Sequence, residues 1–412
     1  MMAEADQASQ AKGDPRAPRV VALVFVTVFL DLIGFGIVIP LMPFYVQSMG
    51  GSALTVGVLL SCFAATQFIA TPYLGRLSDR VGRRPVILIS LAGNAASMIL
   101  FALATKAMFL PLLFASRILA GATAGNLAAC QAAIADVTQG ASRAKGMGRL
   151  GAGIGLGIAL GPWLGGVLSA EYGAWAPPLG AAAMALADLV AAFFLMPETR
   201  AARPRDAAGN SIAPTKVSLA TVFRQPKLVI VLALFFFTFL YMTNLQTVLA
   251  FMTSYRFHWT EVHVGYVFLG MGIVMLVVQG LLIGPIAKRF RELHVVIAGA
   301  VLSGVGLTLI ALASNIAVLV VGLLGLGLGL GVTQPLLASI AAQHAGEENR
   351  GALLGYAQSS GGLARTVGPL FAGFLYADSH SGRPFVAGSI SAAVVLLLAI
   401  VLVRATHPAP PP

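Results

Sequence analysis

The sequence predicts an all-α membrane protein whose twelve transmembrane helices form two pseudo-symmetric six-helix bundles. Three observations predict it. The 412 residues are 58% hydrophobic and only 10% charged, where soluble domains carry about 25% charged residues. The apolar residues fall into long, uniformly apolar runs, whereas a membrane barrel needs segments of about ten residues with alternating pattern. One polar stretch, residues 197–227, divides those runs six and six. The 46 Gly and 22 Pro follow no period and sit within Leu, Val, Ala and Phe runs, which excludes collagen-like and disordered chains.

In chain order, residues 1–19 form a polar tail without the apolar core or cleavage site of a signal peptide, and the run beginning at Val20 is too long for one. A helix needs about 20 mostly apolar residues to cross a bilayer. Cutting the runs at charge clusters and Pro/Gly turns gives six spans at 20–45, 54–75, 85–104, 109–134, 147–169 and 177–196. Six more follow at 228–252, 263–285, 294–313, 316–340, 352–376 and 385–403. Between the ninth and tenth only Ala313-Ser314-Asn315 marks a turn. The domain organisation is therefore a cytoplasmic tail (1–19), a bundle (20–196), a cytoplasmic linker (197–227), a second bundle (228–404) and a short cytoplasmic tail (405–412).

The cations set the orientation. Alternate loops hold Arg76, Arg80, Arg83 and Arg84, then Arg143, Lys145 and Arg149, then the linker cations, then Lys288, Arg289, Arg291 and Arg350. The opposite loops hold Lys106, Arg256 and Arg383. Because Lys and Arg are retained on the cytoplasmic side, both termini are expected there, in a bacterial inner membrane, which agrees with an even number of spans. The net charge of +11 is then explained by topology and contact with anionic lipid, so nucleic acid is not an expected partner. Cys62 and Cys130 lie inside apolar runs and read as small buried hydrophobes.

The halves resemble each other. Shifted by 207 positions, Arg143, Gly148, Gly161-Pro162 and Gly166 fall on Arg350, Gly355, Gly368-Pro369 and Gly373. Duplicated six-span units are a transporter signature, with the substrate site near mid-membrane between them.

The loop after the second span reads Gly75-Arg-Leu-Ser-Asp79-Arg80-Val-Gly82-Arg83-Arg84-Pro85. Its glycines permit a tight turn and close helix approach, and Asp79 can pair with a nearby arginine or sit at a helix N-terminus. The fifth span carries Gly157-Ile-Ala-Leu-Gly161-Pro162-Trp-Leu-Gly165-Gly166. Small residues four apart let helices approach, and Pro162 removes a backbone hydrogen bond and bends the helix. The first span reads Leu30-Asp31-Leu-Ile-Gly34-Phe-Gly36 through Pro40 and Pro43. The fourth reads Ser116-Arg117 through Gly121, Gly125 and Asp136.

Taken together, these stretches resemble the major facilitator superfamily, in particular its twelve-span drug:H+ antiporters and the tetracycline exporters among them. The resemblance covers essentially the whole chain and is densest before residue 200. It implies the major facilitator fold and outward transport. It also implies gating roles for Gly75, Asp79, Arg80, Gly82 and Arg83, with Asp136, Arg143 and Arg365 assigned to the same gate. Gly157, Gly161, Pro162, Gly165 and Gly166 form the antiporter helix. One departure bears on tetracycline as substrate and on that family's proton path. Those exporters carry acids in the third and ninth spans, where this chain has Ser90-Leu-Ala-Gly-Asn94-Ala-Ala-Ser97 and Ala300-Val-Leu-Ser303-Gly.

Charges within a span cost about 2.5–3.5 kcal/mol at the helix centre and are functional candidates for that reason. Here they are Asp31, Arg117, Asp188 and Arg365. Asp31 lies roughly 16 Å from the end of its span, near mid-membrane. Asp31 or Asp188 is expected to exchange a proton with alternate sides while Arg117 biases its titration; the alternative is a static Asp31–Arg117 pair that fixes packing. Asn126, Gln131, Asn244, Gln246, Gln279 and Gln334 are candidates to line a polar cavity or to bond between helices. Phe235, Phe236, Phe237, Phe239 and Tyr241 read as packing or lipid-facing residues.

The expected function is proton-coupled export of small amphiphilic molecules, with a sugar, amino acid or other metabolite as the alternative substrate. A membrane sensor would carry an added soluble domain, and a channel would more often build its pore from several subunits. No dinucleotide fingerprint, P-loop, HExxH or CxxC is present, so neither enzymatic activity nor a cofactor or metal is expected. The expected partners are a small-molecule substrate, protons and the lipid bilayer, with the chain acting as a monomer.

Overall fold

The computed structural model describes residues 14–200, 223–344, 346–377 and 382–406. Most of the expected tails, the centre of the expected linker and the side chain of Arg350 lie outside them.

Among the described residues twelve long helices run in chain order, eleven of them long and apolar enough to cross a membrane. They are α1 (Ala17–Ser48), α2 (Ala53–Val81), α3 (Arg83–Ala107), α4 (Leu110–Val137), α5 (Gly140–Tyr172) and α6 (Ala176–Leu195), then α7 (Pro226–Phe257), α8 (Glu261–Arg289), α9 (Glu292–Leu312), α10 (Ile316–His344), α11 (Gly346–Ala377) and α12 (Arg383–Thr406). Each contains or nearly contains one expected span, and the weakly marked turn at residues 313–315 does separate α9 from α10. Asn315 secures that turn by accepting a hydrogen bond from the Val318 N–H at 3.0 Å.

Local chemistry explains the boundaries and breaks. Ser52 caps α2 through the Thr55 N–H. Gly82 joins α2 to α3 at φ +112°, a left-handed conformation that a side chain would strain. Pro40 and Pro43 tighten α1 into a short 3₁₀ turn at Ile39–Leu41. A turn at residues 123–125 interrupts α4, and α8 loosens into a π turn at Val278–Leu282 just before Pro285.

Helices α1–α6 pack into one bundle and α7–α12 into the other. Two extensive seams join the bundles, α2 against α11 and α5 against α8, with lighter contacts of α1 on α7 and α8. They are built alike. A Cβ added to Gly57 would land on the Pro369 carbonyl, and one on Gly373 would meet the Ala53 carbonyl and Leu54 Cα. In the other seam Gly265 faces the Pro162 carbonyl, and Gly166 faces the Glu261 carbonyl and Val262 Cα. The repeated Gly-Pro elements of α5 and α11 therefore serve one purpose, presenting bare backbone to a partner helix. In lipid, where burying apolar surface between helices yields little, such close approach is what holds them together.

Both seams are tightest at the end away from the termini. Toward the termini end, a Cβ added to Gly75, Gly151, Gly280, Gly284 or Gly355 would meet nothing within 4 Å. Tyr73 and Leu281 are 64% and 69% exposed there. The bundles are thus closed at the far end and parted at the end that carries the termini.

Gly57→Val or Gly265→Val wedges the far seam. Inserting methyl groups into close packing costs about 1–3 kcal/mol, and 1.4 kcal/mol shifts an equilibrium about tenfold. Spin labels at Gln47 and Ser254, which line one far-end pocket from opposite bundles, should report a longer distance as the major population in either variant. An unchanged distance distribution would show that these contacts do not hold the end shut.

Candidate functional site

A cavity of about 460 Å³ lies between the bundles. The break in α4 brings Thr123 and Asn126 to its wall beside Asp31 of α1. From the second bundle come Phe239, Thr243 and Gln246 of α7 and Gln358 and Arg365 of α11. The remaining wall is mostly apolar and includes Phe35, Phe63, Met98, Leu127 and Ile158.

The two intramembrane carboxyls sit in a polar cluster within the first bundle. Thr27 and Asp31, one turn apart, share a face of α1. Thr27 donates to Asp188 Oδ1 of α6 at 2.9 Å, and Asn94 of α3 donates to Asp31 Oδ1 at 2.8 Å. Asn126 adjoins this cluster and accepts from the Cys130 thiol at 3.3 Å. Asp188 is only 2% exposed and its Oδ2 has no hydrogen-bond partner among the described residues. No cation lies within ion-pair distance of either carboxyl among the described residues.

Arg117 lines the same cavity, but it does not pair with Asp31. Its guanidinium lies 4.8 Å from the centre of the Phe101 ring and 3.8 Å from Met98 Sδ, with the Ser116 hydroxyl at 3.4 Å. The ring and the sulfur lie on α3 and none of these contacts is to Asp31, so the static Asp31–Arg117 pair is absent. Arg365 lines the central cavity, 4.7 Å from the Phe239 ring centre, apart from the loop residues at the termini end. A cation over an aromatic face gains about 0.5–2 kcal/mol, which does not fully offset the roughly 2.5–3.5 kcal/mol cost of placing it there. Among the described residues neither arginine has a carboxylate within ion-pair distance.

Only Asn126 and Gln246 of the six expected cavity residues reach the wall. Gln131 and Gln279 are exposed, on other faces of α4 and α8. Asn244 is buried and donates to the Pro384 carbonyl at 2.7 Å, tying α7 to α12. Gln334 bonds the Met242 sulfur at 3.2 Å inside the second bundle. Phe239 lines the cavity, while Phe235 and Tyr241 are core. Sequence reasoning missed Thr27, Gln67 and Gln358. For Thr27 a signal existed, a hydroxyl residue four positions before an intramembrane acid. Asn94 was visible only as a missing acid, and it is the residue that holds Asp31.

The antiporter-helix glycines divide by face. Gly157, Gly161 and Gly165 receive the α1 backbone at Phe29, Ile33, Gly36 and Ile37, whereas Gly166 and Pro162 face α8.

At the termini end, the loop between α2 and α3 is held within the first bundle. Arg83 donates through Nε to Asp136 of α4 at 2.9 Å and through Nη1 to Asp79. Arg143 closes the end of α4 by donating to the Thr138 and Ala135 carbonyls at 3.1 and 2.8 Å. Glu198, beyond the end of α6, receives the N–H groups of Arg83 and Arg84 at the start of α3. A Cβ on Gly82 would collide with that carboxylate. Arg200 reaches back to the Arg80 carbonyl at 2.6 Å. Gly75 meets nothing, being where the bundles part.

A family model described as Major Facilitator Superfamily matches residues 24–293 and 235–412. The tetracycline resistance protein, class H, of Pasteurella multocida is 30% identical over 395 residues, covering 94% of this chain and 97% of that protein. The class E protein of Escherichia coli is 33% identical over 397 residues, covering 95% and 96%. The crystal structure of the human organic anion transporter MFSD10 (TETRAN) superposes with a TM-score of 0.69 at 27% identity, covering 93% of this chain and all of that one.

Glu198 gives a pH test. Burial pushes its carboxyl up, but the backbone N–H groups of Arg200, Arg83, Arg84 and Thr199 outweigh it and hold it below the ordinary 4.5. A carboxylate held low when folded stabilises fully above its unfolded value, and that contribution is lost as pH falls through the folded value. Glu198→Gln should therefore lower the melting temperature at pH 7, with the gap to the parent narrowing from about pH 4.5 downward. Thermal unfolding of the detergent-solubilised protein checks this; a gap constant with pH would refute it.

Proposed function

Because the chain belongs to the major facilitator superfamily and is a multi-pass membrane transporter, not an enzyme, we propose that it exports small amphiphilic molecules in exchange for protons, by alternating access. Tetracycline-like compounds are among the substrates this reading includes, given the resistance proteins it resembles. The site acts as a monomer in a bacterial inner membrane, with the basic termini end in the cytoplasm.

One observation carries the reading: a buried carboxyl, Asp188, and a half-buried one, Asp31, with no cation among the described residues to neutralise them, the second opening on the cavity between the bundles. A buried carboxylate without a counter-ion is costly. The charge that compensates it must therefore come and go, and a proton is the smallest such charge. Asp31 is the carrier in this scheme. Asn94 orients it, and Asp188, anchored by Thr27, lies behind it as a second acceptor. Protonation and cargo then share one chamber, which is what coupling requires.

The parted termini end and closed far end suit a state that loads cargo from the cytoplasm. Opening the far seams and closing the other end would bring the loop at residues 75–84 toward the second bundle. Asp79, 48% exposed, is placed to find a partner there, while Asp136 keeps Arg83 fixed. Gly75, Arg80, Gly82 and Arg143 shape that loop and its flanks.

Asp31→Asn keeps the hydrogen bond of the site possible but cannot carry a proton. In inside-out vesicles, pH-gradient-driven uptake of a tetracycline or other amphiphilic drug should fall at least tenfold to the uncoupled background, with the protein inserted at parental levels. Undiminished gradient-driven uptake would reject the role of Asp31. Gradient-driven uptake of a sugar or amino acid, with none of the drugs, would favour the metabolite exporter.

A further inference from the structure

The repeat that relates the bundles also relates two corners at the termini end. Residues 284–293 (GPIAKRFREL) are the counterpart of 75–84 (GRLSDRVGRR), with Gly284 in the place of Gly75 and Glu292 in the place of Arg83. Under the shift of 207 positions, Gln343 takes the place of Asp136. In the first bundle Arg83, at the start of α3, completes its corner by donating to Asp136, near the end of α4, and to Asp79. In the second bundle a carboxylate stands at the start of α9 and an amide near the end of α10. Gln343 donates to the Ser339 hydroxyl at 3.3 Å, and Ser339 donates to Glu292 Oε1 at 2.8 Å. Glu292 Oε2 is shielded from solvent and has no hydrogen-bond partner among the described residues. Nor does any cation among them lie within ion-pair distance of it. A shielded carboxylate oxygen without a donor is costly. This corner is short of the positive group that Arg83 supplies to the other.

Glu292 lines a cavity of about 320 Å³ between the α8–α9 loop and the ends of α10 and α12. Arg291 and His294 are exposed on the same wall, beside apolar Phe290, Leu293 and Val403. Leu293 and Val403 lie at the ends of two spans, next to Arg291 and Arg404, which puts the cavity where hydrocarbon meets headgroups. His294 and His344 also line it but do not converge with Glu292 as metal ligands would. A purely anionic headgroup would leave the Glu292 oxygen facing a like charge. We infer that the cavity binds a phospholipid bearing a primary ammonium, of the phosphatidylethanolamine type. The ammonium donates to Glu292 Oε2, the phosphate lies toward Arg291 and His294, and the acyl chains leave past Phe290, Leu293 and Val403. Charge-assisted hydrogen bonds of this kind are about twice as strong as neutral ones. The headgroup ties the α8–α9 loop to the ends of α10 and α12, as Arg83 ties the matching elements of the first bundle. Such binding requires only that the chain lie in a bilayer, whatever it exports.

The test measures the affinity of the first lipid bound to the delipidated full chain in detergent, by native mass spectrometry. The probes share dioleoyl chains: phosphatidylethanolamine, its trimethylated relative phosphatidylcholine, and phosphatidylglycerol. Phosphatidylethanolamine should bind at least fivefold tighter than either of the others, because trimethylation removes every N–H donor while keeping the charge. Glu292→Gln still accepts from Ser339 but loses the charge. It should bring phosphatidylethanolamine to within twofold of phosphatidylcholine and leave the other two lipids within twofold of the parent, which certifies the fold. Should that variant not yield folded protein, Ser339→Ala, which frees the carboxylate from its anchor, is read in the same way, with at least a threefold loss for phosphatidylethanolamine alone. Glycerophosphoethanolamine, the headgroup without chains, should not displace the lipid at a hundredfold excess; displacement would reassign the cavity to a soluble ligand and overturn the lipid. Equal or tighter binding of phosphatidylcholine or phosphatidylglycerol to the parent overturns the inference, as does phosphatidylethanolamine affinity unchanged in Glu292→Gln. With no gradient and no cargo present, none of these outcomes bears on proton exchange.

Discussion

Two helices in lipid gain almost nothing from hiding leucines against each other, because the lipid tails would hide them equally well. What remains is distance: the closer two backbones come, the more dispersion contact they make. Glycine is the residue that permits the closest approach, and in this molecule it is placed at the points where the bundles meet. Gly57 and Gly373 serve one seam, Gly265 and Gly166 the other. The contacts are strong because they are short, and reversible because among the described residues no disulfide or ion pair crosses them. A transporter needs both properties, and the rest of the architecture is arranged around these two lines.

The second organising feature is a segregation of charge. Carboxyls occupy α1 and α6, without an ion-pair partner among the described residues and set in a cluster of Thr and Asn side chains. Guanidiniums occupy α4 and α11, propped on aromatic rings. A folded protein that merely needed stability would pair such groups or dispense with them, since isolated charge in an apolar setting is expensive. Left apart, Asp31, Arg117 and Arg365 stand around a single chamber, with Asp188 buried outside its wall. At the termini end the opposite principle applies. There Arg83, Asp79, Asp136 and Glu198 satisfy one another, which makes the loop a rigid element that can be carried as a unit.

Much of this was legible beforehand for physical reasons that can be named. Span positions follow from the length of an apolar run against the thickness of a bilayer, so even the faint turn at residues 313–315 was read correctly. The choice of Asp31 and Asp188 as candidates followed from the cost of a charge at depth. The polar amides were not legible, because Asn and Gln within a span bond equally well to cargo, to a sulfur as Gln334 does, or to a carbonyl as Asn244 does. Nothing in their local sequence distinguishes these fates. The alternative of a static Asp31–Arg117 pair could not be decided from sequence, because opposite charges in two spans of one bundle invite pairing; the rotamer of Arg117 toward Phe101 is decided by packing.

The sequence by itself determined the number of spans, their alternation, the twofold repeat and the inventory of buried charge, since each depends on composition along one helix measured against the membrane. Only the tertiary structure decided which end is sealed, which face of each helix meets the chamber and which charges are left unpaired. Those outcomes depend on rotation of each helix about its own axis and on contacts between residues far apart in the chain, such as Gly57 with Pro369, which no local pattern encodes.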